Sequence, residues 1–144
     1  MRQGRFLALD YGSKNVGIAC CDELCMTIQP LASLPNIRRQ DLIDSIRSII
    51  RKRQIDELVV GIPLRMDGSI GDAARRVRAF IDMLSAAIHL PVRSFDERLS
   101  TVEALEAWNL MSQKQRRKYR TVDSLAAACI LERYIKEVIS CEPF

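Results

Sequence analysis

The first third of the chain alternates short apolar runs with turn residues, and this pattern predicts three consecutive strands. Arg5–Asp10 is an apolar run that ends on an acid, and Val16–Cys21 follows it across a glycine-containing turn. Cys25–Gln29 is shorter, and Pro30 is expected to end it, because proline lacks the N–H that a strand ladder uses. The segment therefore predicts a three-stranded meander.

Beyond residue 40 the pattern switches between helical and strand periodicity. Apolar residues recur every three or four positions from Asp41 to Arg53, which predicts an amphipathic helix. Glu57–Ile62 and Pro91–Phe95 are predicted strands, with a second helix between them. A third helix is expected from Ser100, where a capping box begins, and the last helix from about Thr121. The predicted core stripes are Ala73, Val77, Phe80, Ile81, Leu84 and Ile88 in the second helix, and Val122, Leu125, Ala126, Cys129, Ile130 and Tyr134 in the last.

The order of these elements predicts an α/β fold. A meander followed by strands that alternate with helices indicates a five-stranded mixed sheet, with a three-strand antiparallel meander plus two parallel strands, flanked by helices. Residues 1–144 suffice for one domain with a core and are too few for two ordinary domains. We therefore expect a single domain.

The composition is that of a soluble globular protein, with 48% hydrophobic and 28% charged residues. No apolar run approaches the roughly 18 residues that cross a bilayer, so no membrane role is expected. Five cysteines follow an N-terminus without the features of a secretion signal, which favours the reducing cytoplasm. A zinc site at Cys20, Cys21 and Cys25 is disfavoured, since His89 is the one histidine and adjacent strand residues point to opposite faces.

Cations are concentrated late in the chain. The formal net charge is +4, and five of the eight residues from Gln113 to Arg120 are cationic. Such a run predicts either a solvated surface or contact with a polyanion such as nucleic acid. Tyr11–Lys14 is a second candidate for phosphate binding, because it combines a glycine turn with an ammonium group. The candidate nucleic-acid contacts are Lys14, Arg98, Lys114, Arg116, Arg117, Lys118 and Arg120.

Acidic residues interrupt the local pattern at three places. Asp10 ends the first strand, Asp96 and Glu97 end the fifth, and Asp123 lies in the first turn of the last helix. Ligands of open α/β sheets bind at the carboxyl ends of the strands, so these carboxylates are expected to converge. Converging carboxylates repel one another and favour a hard divalent cation, Mg²⁺ or Mn²⁺. Two such ions would support phosphodiester hydrolysis.

Each acid also has a purely structural interpretation. Asp10 would cap the turn that follows it through Gly12. Arg98 would pair with the acids beside it, and Asp123 would complement the dipole of the last helix.

Four sequence blocks, in order and spread over nearly the whole chain, resemble the YqgF family, also called RuvX. This bacterial family of RNase H-like proteins is associated with maturation of the 5′ end of pre-16S rRNA or with resolution of Holliday junctions. The chain departs from the family pattern at Asn15, where an arginine is usual, and at Trp108–Ser112, where a glycine is usual. The four blocks are Leu9–Lys14 with Val16–Ala19, Val59–Leu64 with Asp67 and Gly68, Asp96–Thr101, and Val122 and Asp123 with Ala126 and Ala127.

The resemblance implies an RNase H-like sheet of five strands and an acidic site at Asp10, Glu97 and Asp123. It implies Mg²⁺ or Mn²⁺ bound by these residues, with Asp96 a further possible ligand. The implied activity is metal-dependent cleavage of nucleic acid, with precursor rRNA the favoured substrate and branched DNA the alternative. We expect a monomer or a weak homodimer.

Two other functional classes share parts of this pattern. Actin-like ATPases and sugar kinases also have a first strand that ends in an Asp-x-Gly turn, but they close two domains around a nucleotide. A ribosome-assembly factor that binds RNA without cutting it would use the same cationic run. The retained acids favour the nuclease over this non-catalytic alternative.

Overall fold

The computed structural model describes residues 4–63, 67, 70–96, 109–119 and 122–139. The strands are β1 (Phe6–Tyr11), β2 (Asn15–Cys21), β3 (Ile28–Pro35), β4 (Glu57–Ile62) and β5 (Val92–Asp96). They form one sheet in the order β3-β2-β1-β4-β5. Strand β2 pairs antiparallel with β1 and β3, whereas β4 pairs parallel with β1 and β5, so the predicted mixed sheet is confirmed.

Helices cover both faces of the sheet. The described helices are α1 (Arg39–Arg53), α2 (Asp72–Ala87), α3 (Gln113–Tyr119) and α4 (Val122–Tyr134), which continues as a π-helical turn over Ile135–Ile139. The predicted third helix from Ser100 lies outside the described residues. Side chains of β1 alternate, so that Leu7 and Leu9 belong to the core under α1 and α2, whereas Phe6 and Ala8 belong to the core under α4.

The prediction for β3 was wrong at both ends. The strand begins at Ile28 and runs through Pro30 to Pro35 instead of ending before Pro30. Proline is tolerated here because β3 is an edge strand, where half of the backbone N–H groups have no neighbouring strand to donate to.

Two predicted core stripes need correction. In α2 the buried alanine is Ala74, and Ala73 is exposed. In α4 the stripe is divided between two sides of the helix. Ile130 and Tyr134 pack on the sheet, whereas a separate cluster of Leu125, Ala126 and Cys129 packs against Met111. The helix is covered on its outer side as well, so apolar residues surround it.

The adjacent cysteines of β2 point to opposite faces of the sheet, as the sequence predicted. Cys20 belongs to the core under α1 and α2, and Cys21 to the core under α4, so the two thiols lie on opposite faces of β2. Within the described ranges, no helix has the length and apolar character needed to cross a membrane.

Candidate active site

Asp10 lies near the end of β1 on the face that α4 covers. Its Cα is paired with that of Gly17 in β2, and its side chain alternates with that of Leu9, which points into the other core. The carboxylate is largely buried. Directly opposed residues of an antiparallel pair point to the same face, so the surroundings of Gly17 determine what lies beside Asp10.

The first turn of α4 lies directly on Gly17. A Cβ atom added to this glycine would stand 2.0 Å from the carbonyl oxygen of Asp123 and 2.3 Å from its carbonyl carbon. No side chain fits in that space, so glycine at this position is what allows the helix backbone to reach the sheet. The contact brings Asp123 next to the cross-strand neighbour of Asp10.

Ser124 fixes the same turn from the side of β3. Its hydroxyl donates a hydrogen bond to the backbone carbonyl of Leu31, and the side chain is fully buried. Ala127, one turn later, is also fully buried and packs with Ala19 of β2. The sequence suggested that the small side chain of Ala127 leaves room beside the carboxylate, but in the structure it closes the helix onto the sheet.

Both described acids have a raised pKa. Burial is the larger cause for Asp10 and repulsion from the Asp123 carboxylate is the second, and together they raise the pKa of Asp10 to about 6. Burial also raises the pKa of Asp123. Because the two carboxylates interact, they titrate as a pair.

Backbone and side-chain hydrogen bonds hold the turn between β1 and β2, and Asp10 does not cap it through Gly12. The N–H of Gly12 donates instead to the carbonyl of Asn15 at 3.0 Å. Asn36, which follows β3, donates its side-chain amide to the Gly12 carbonyl and its backbone N–H to the Lys14 carbonyl, each at 2.8 Å. The Lys14 side chain is exposed beside the site.

Asp96 lies on the opposite face of the sheet from Asp10. It is paired with Ile62 at the end of β4, which belongs to the core under α1 and α2. Its neighbour Phe95 packs instead with Tyr134 of α4, with ring centroids 5.7 Å apart. Strand alternation therefore places the residue before Asp96, and not Asp96 itself, on the Asp10 face.

The third predicted ligand, Glu97, and its neighbour Arg98 lie outside the described residues. Among the residues that are described, no group of three or more histidine, cysteine, aspartate or glutamate side chains is arranged to bind a metal ion. The described part of the site is thus the pair Asp10 and Asp123.

The cationic run forms a short helix, α3, which the sequence interpretation had left without secondary structure. Ser112 and Gln115 begin it with a capping box: the Gln115 N–H donates to the Ser112 hydroxyl at 3.3 Å, and the Ser112 N–H donates to the Gln115 side chain at 2.9 Å. The helix contacts β3 and α4. Lys114 and Arg117 are exposed, Arg116 is half-buried, Lys118 lies in the last turn, and Arg120 lies outside the described residues.

Sequence reasoning missed three residues that shape this site: Gly17, Asn36 and Ser124. A signal was available for Gly17, because an isolated glycine inside a strand often marks a bulge or a close backbone approach. Both are present, since the register between β2 and β3 also shifts between Val16 and Ile18. Asn36 and Ser124 act through contacts distant in sequence, for which a single sequence gives no pattern.

Relatives of this chain bear names that refer to nucleic-acid cleavage. A protein of Moorella thermoacetica is 40% identical over 134 residues, which cover 91% of this chain and 94% of that protein. A protein of Halothermothrix orenii is 36% identical over 131 residues, covering 91% of this chain and 94% of that one. Both are named "Putative pre-16S rRNA nuclease".

Solved structures of similar fold include two proteins in complex with Holliday junctions. RuvC of Thermus thermophilus in complex with its junction substrate superposes with a TM-score of 0.57 at 12% identity, covering 94% of this chain and 96% of that one. The resolvase of fowlpox virus with junction DNA gives 0.58 at 14% identity, covering 94% and 99%. At these identities the likeness shows the fold alone, which is the expected RNase H-like fold.

The family model described as "RuvX: Holliday junction resolvase" matches residues 4–137. This range includes every strand of the sheet, both described acids and the cationic helix α3. The resemblance inferred from the four sequence blocks is therefore confirmed. The chain belongs to the RuvX family of nucleases.

Proposed function

We propose that this protein hydrolyses phosphodiester bonds in precursor 16S rRNA, with Asp10, Glu97 and Asp123 as ligands of Mg²⁺ or Mn²⁺. The observation that supports this most directly is the pair formed by the largely buried Asp10 carboxylate and the half-buried Asp123 carboxylate. Asp10 and Asp123 repel each other, and the backbone contact at Gly17 keeps them together regardless. Holding these two like charges together costs free energy unless a cation lies between the carboxylates and neutralises the repulsion.

The donor set fits a hard divalent cation. Aspartate and glutamate oxygens are the preferred ligands of Mg²⁺ and Mn²⁺, and neither histidine nor cysteine is needed. Glu97 follows Asp96, whose face is opposite to that of Asp10, so strand alternation favours Glu97 over Asp96 as the third ligand. When bound, such ions supply a polarised water and charge stabilisation at the reacting phosphate.

The chain's own groups would bind and orient the nucleic acid. The Lys14 ammonium lies on the turn that follows Tyr11, the residue after Asp10, and Asn36 donates hydrogen bonds to the backbone of this turn. Exposed Lys114 and Arg117 of α3 lie beside β3 and α4, on the side of the sheet that bears Asp123. These cations would neutralise phosphates that flank the cleaved bond.

A cleavage assay with three substrates tests the proposal. Wild type with Mg²⁺ or Mn²⁺ is compared on a precursor 16S rRNA 5′ leader, single-stranded DNA and a four-way junction. We expect preferential cutting of the leader, and Asp10→Asn should lower the rate by about a thousandfold or more, since it removes a ligand of the reacting centre. If Asp10→Asn cut as fast as wild type, the catalytic assignment would be wrong.

Thermal unfolding tests the metal site without relying on activity. Mg²⁺ or Mn²⁺ should raise the Tm of the wild type, because an ion that binds only the folded state stabilises it. The Asp10→Asn variant should show a smaller rise. An equal rise in both proteins would place the binding site elsewhere.

Junction resolution is the second candidate function, and the description of the matching family model favours it. Cutting both strands of a four-way junction symmetrically requires two active sites, hence a homodimer. Symmetric, preferential junction cleavage in the same assay, together with a dimer at assay concentration, would favour this function over rRNA maturation.

A further inference from the structure

The segment that connects β3 to α1 exposes an apolar side chain between polar neighbours. Ile37 is 85% exposed, and Arg38 and Arg39 that follow it are also exposed. In the part of the chain that is described, no hydrogen bond or ion pair to either guanidinium group is present. We name residues 36–39 the β3–α1 corner.

The two arginines lie where the helix that follows disfavours them. Arg38 is the N-cap of α1 and makes no side-chain hydrogen bond to the helix, and Arg39 is its first residue. The N-terminus of a helix carries a partial positive charge, so a cation there destabilises the helix, and serine, threonine, aspartate or asparagine is the usual cap. Residues that go against such helix preferences, with no local contact to compensate, are typical of functional sites.

The β3–α1 corner is joined to the turn of the active site. Asn36 donates hydrogen bonds to the carbonyls of Gly12 and Lys14, both at 2.8 Å. The corner therefore has a fixed position relative to Asp10, two residues before Gly12. The acids lie on the α4 side of this sheet edge, and the corner lies on the α1 side, with the β1–β2 turn between them.

A cavity opens at the corner. Its volume is about 370 Å³, and it is lined by Pro35, Ile37, Arg38, Asp41 and Ser45. Pro35 and Ile37 offer apolar surface, whereas the other three supply hydrogen-bond donors and acceptors. This combination suits a nucleobase, which has apolar faces and polar edges.

We propose that the β3–α1 corner binds the substrate strand beside the cleaved phosphodiester, with Arg38 and Arg39 on its phosphates and Ile37 against an unstacked base. The proposal rests on the nuclease function proposed above and adds a binding subsite to it. The charge of the corner matches a polynucleotide, and apolar side chains inserted between bases are a known way of holding a strand out of its stack.

Binding is measured by fluorescence anisotropy with a labelled single-stranded RNA of the rRNA leader and with DNA of the same sequence, across several salt concentrations. Asp10→Asn serves as the background, with EDTA present, so that the strand is not cut. Arg38→Ala/Arg39→Ala is compared with Arg51→Ala/Lys52→Ala, which removes the same charge from the other end of α1. Ile37→Ser is compared with Met26→Ser, a residue 77% exposed on the β2–β3 turn.

Removing the corner arginines should weaken binding about tenfold and lower the slope of log affinity against log salt by about 1.4, the value for two phosphates of a single strand. Ile37→Ser should weaken binding about fivefold without changing that slope. The control variants should bind within about twofold of the background. Because α1 is freed of two unfavourable cations, the corner double variant should melt no lower than its background, whereas the control double variant should melt lower.

Equal losses in the corner and control double variants would overturn the proposal, because the effect would then be one of net charge. Unchanged binding by both corner variants would overturn it as well. These outcomes are separate from failure of the proposed function. If the wild type cut no substrate but the corner variants lost binding as expected, the catalytic assignment would fail and the binding subsite would stand.

Discussion

The two faces of the sheet are built differently. Under α1 and α2, branched and aromatic side chains fill the space, among them Leu9, Val60, Phe80 and Leu84, all buried. Under the first turns of α4, the sheet residues have little or no side chain, and the helix residues that pack on them are alanines. The first face is filled by side-chain volume, and the part of the second face under the first turns of α4 is closed by backbone approach.

This difference separates stability from chemistry. Side chains in the first core can adjust their rotamers when one of them changes, whereas two backbones in contact cannot adjust without moving the helix. The acid that α4 supplies, Asp123, lies at the point of closest approach. We therefore expect substitutions on the α1 and α2 side to affect mainly unfolding, and substitutions at the α4 contact to affect cleavage as well.

The largest effect is expected from Gly17→Ala. Its Cβ would stand 2.0 Å from the Asp123 carbonyl oxygen, so the first turn of α4 must move outward. The free energy of unfolding, measured by urea denaturation, should fall by about 3 kcal/mol. Cleavage per folded molecule should fall by about a hundredfold, because a displacement of about 1 Å suffices to misplace a catalytic group.

Leu84→Ala is the matched control for Gly17→Ala. Leu84 is fully buried on the other face, and its truncation should cost about 3 kcal/mol by leaving a cavity. Cleavage per folded molecule should stay within about twofold of wild type, since the backbone near Asp123 does not move. A loss of cleavage as large as that of Gly17→Ala would refute the separation of the two faces.

The strands and helices could largely be predicted from local pattern, and the contact between layers could not. The run Glu57–Ile62 was predicted with its exact limits, because a fully buried parallel strand is apolar throughout. Asp10 was found because an acid at the end of an apolar strand is unusual. The approach of α4 to Gly17 depends on the fit of two distant segments, and the extension of β3 through Pro30 depends on its place at the edge of the sheet.

The next largest effect concerns the repulsion on the α4 side, tested by Asp10→Asn in EDTA. The pKa of Asp10 is about 6 in the folded protein against an ordinary 3.8. The folded state therefore binds the proton of Asp10 more tightly than the unfolded state does. The stability contributed by this proton is complete below about pH 4 and is lost as pH rises through 6. At pH 8 the free energy of unfolding of Asp10→Asn should exceed that of the wild type by about 2 kcal/mol, so the variant is the more stable protein.

The same comparison at pH 4 is the control, because Asp10 is then neutral in the folded state and close to half neutral in the unfolded state, so most of the advantage of the variant should disappear. Asp123 also has a raised pKa and is retained in both proteins, so the burial that raises it is common to both, whereas its repulsion with Asp10 is part of the effect that the comparison measures. An advantage of the same size at pH 4 and pH 8 would show that the Asp10 charge is not its cause.

The smallest effect is expected from Ser124→Ala, which tests whether the close backbone contact at Gly17 is enough to keep α4 on the sheet. Among the described residues, Ser124 is the one polar residue that is buried, and its hydroxyl bonds to the Leu31 carbonyl of β3. Its loss should lower the free energy of unfolding by about 1.5 kcal/mol, the cost of a buried hydrogen bond. Ser85→Ala, at an exposed position of α2, should change it by less than about 0.5 kcal/mol.

Cleavage by Ser124→Ala should fall only about threefold, because the contact at Gly17 still sets the position of Asp123. A loss as large as that of Gly17→Ala would mean that the hydrogen bond, and not the absent side chain of Gly17, is what positions the acid.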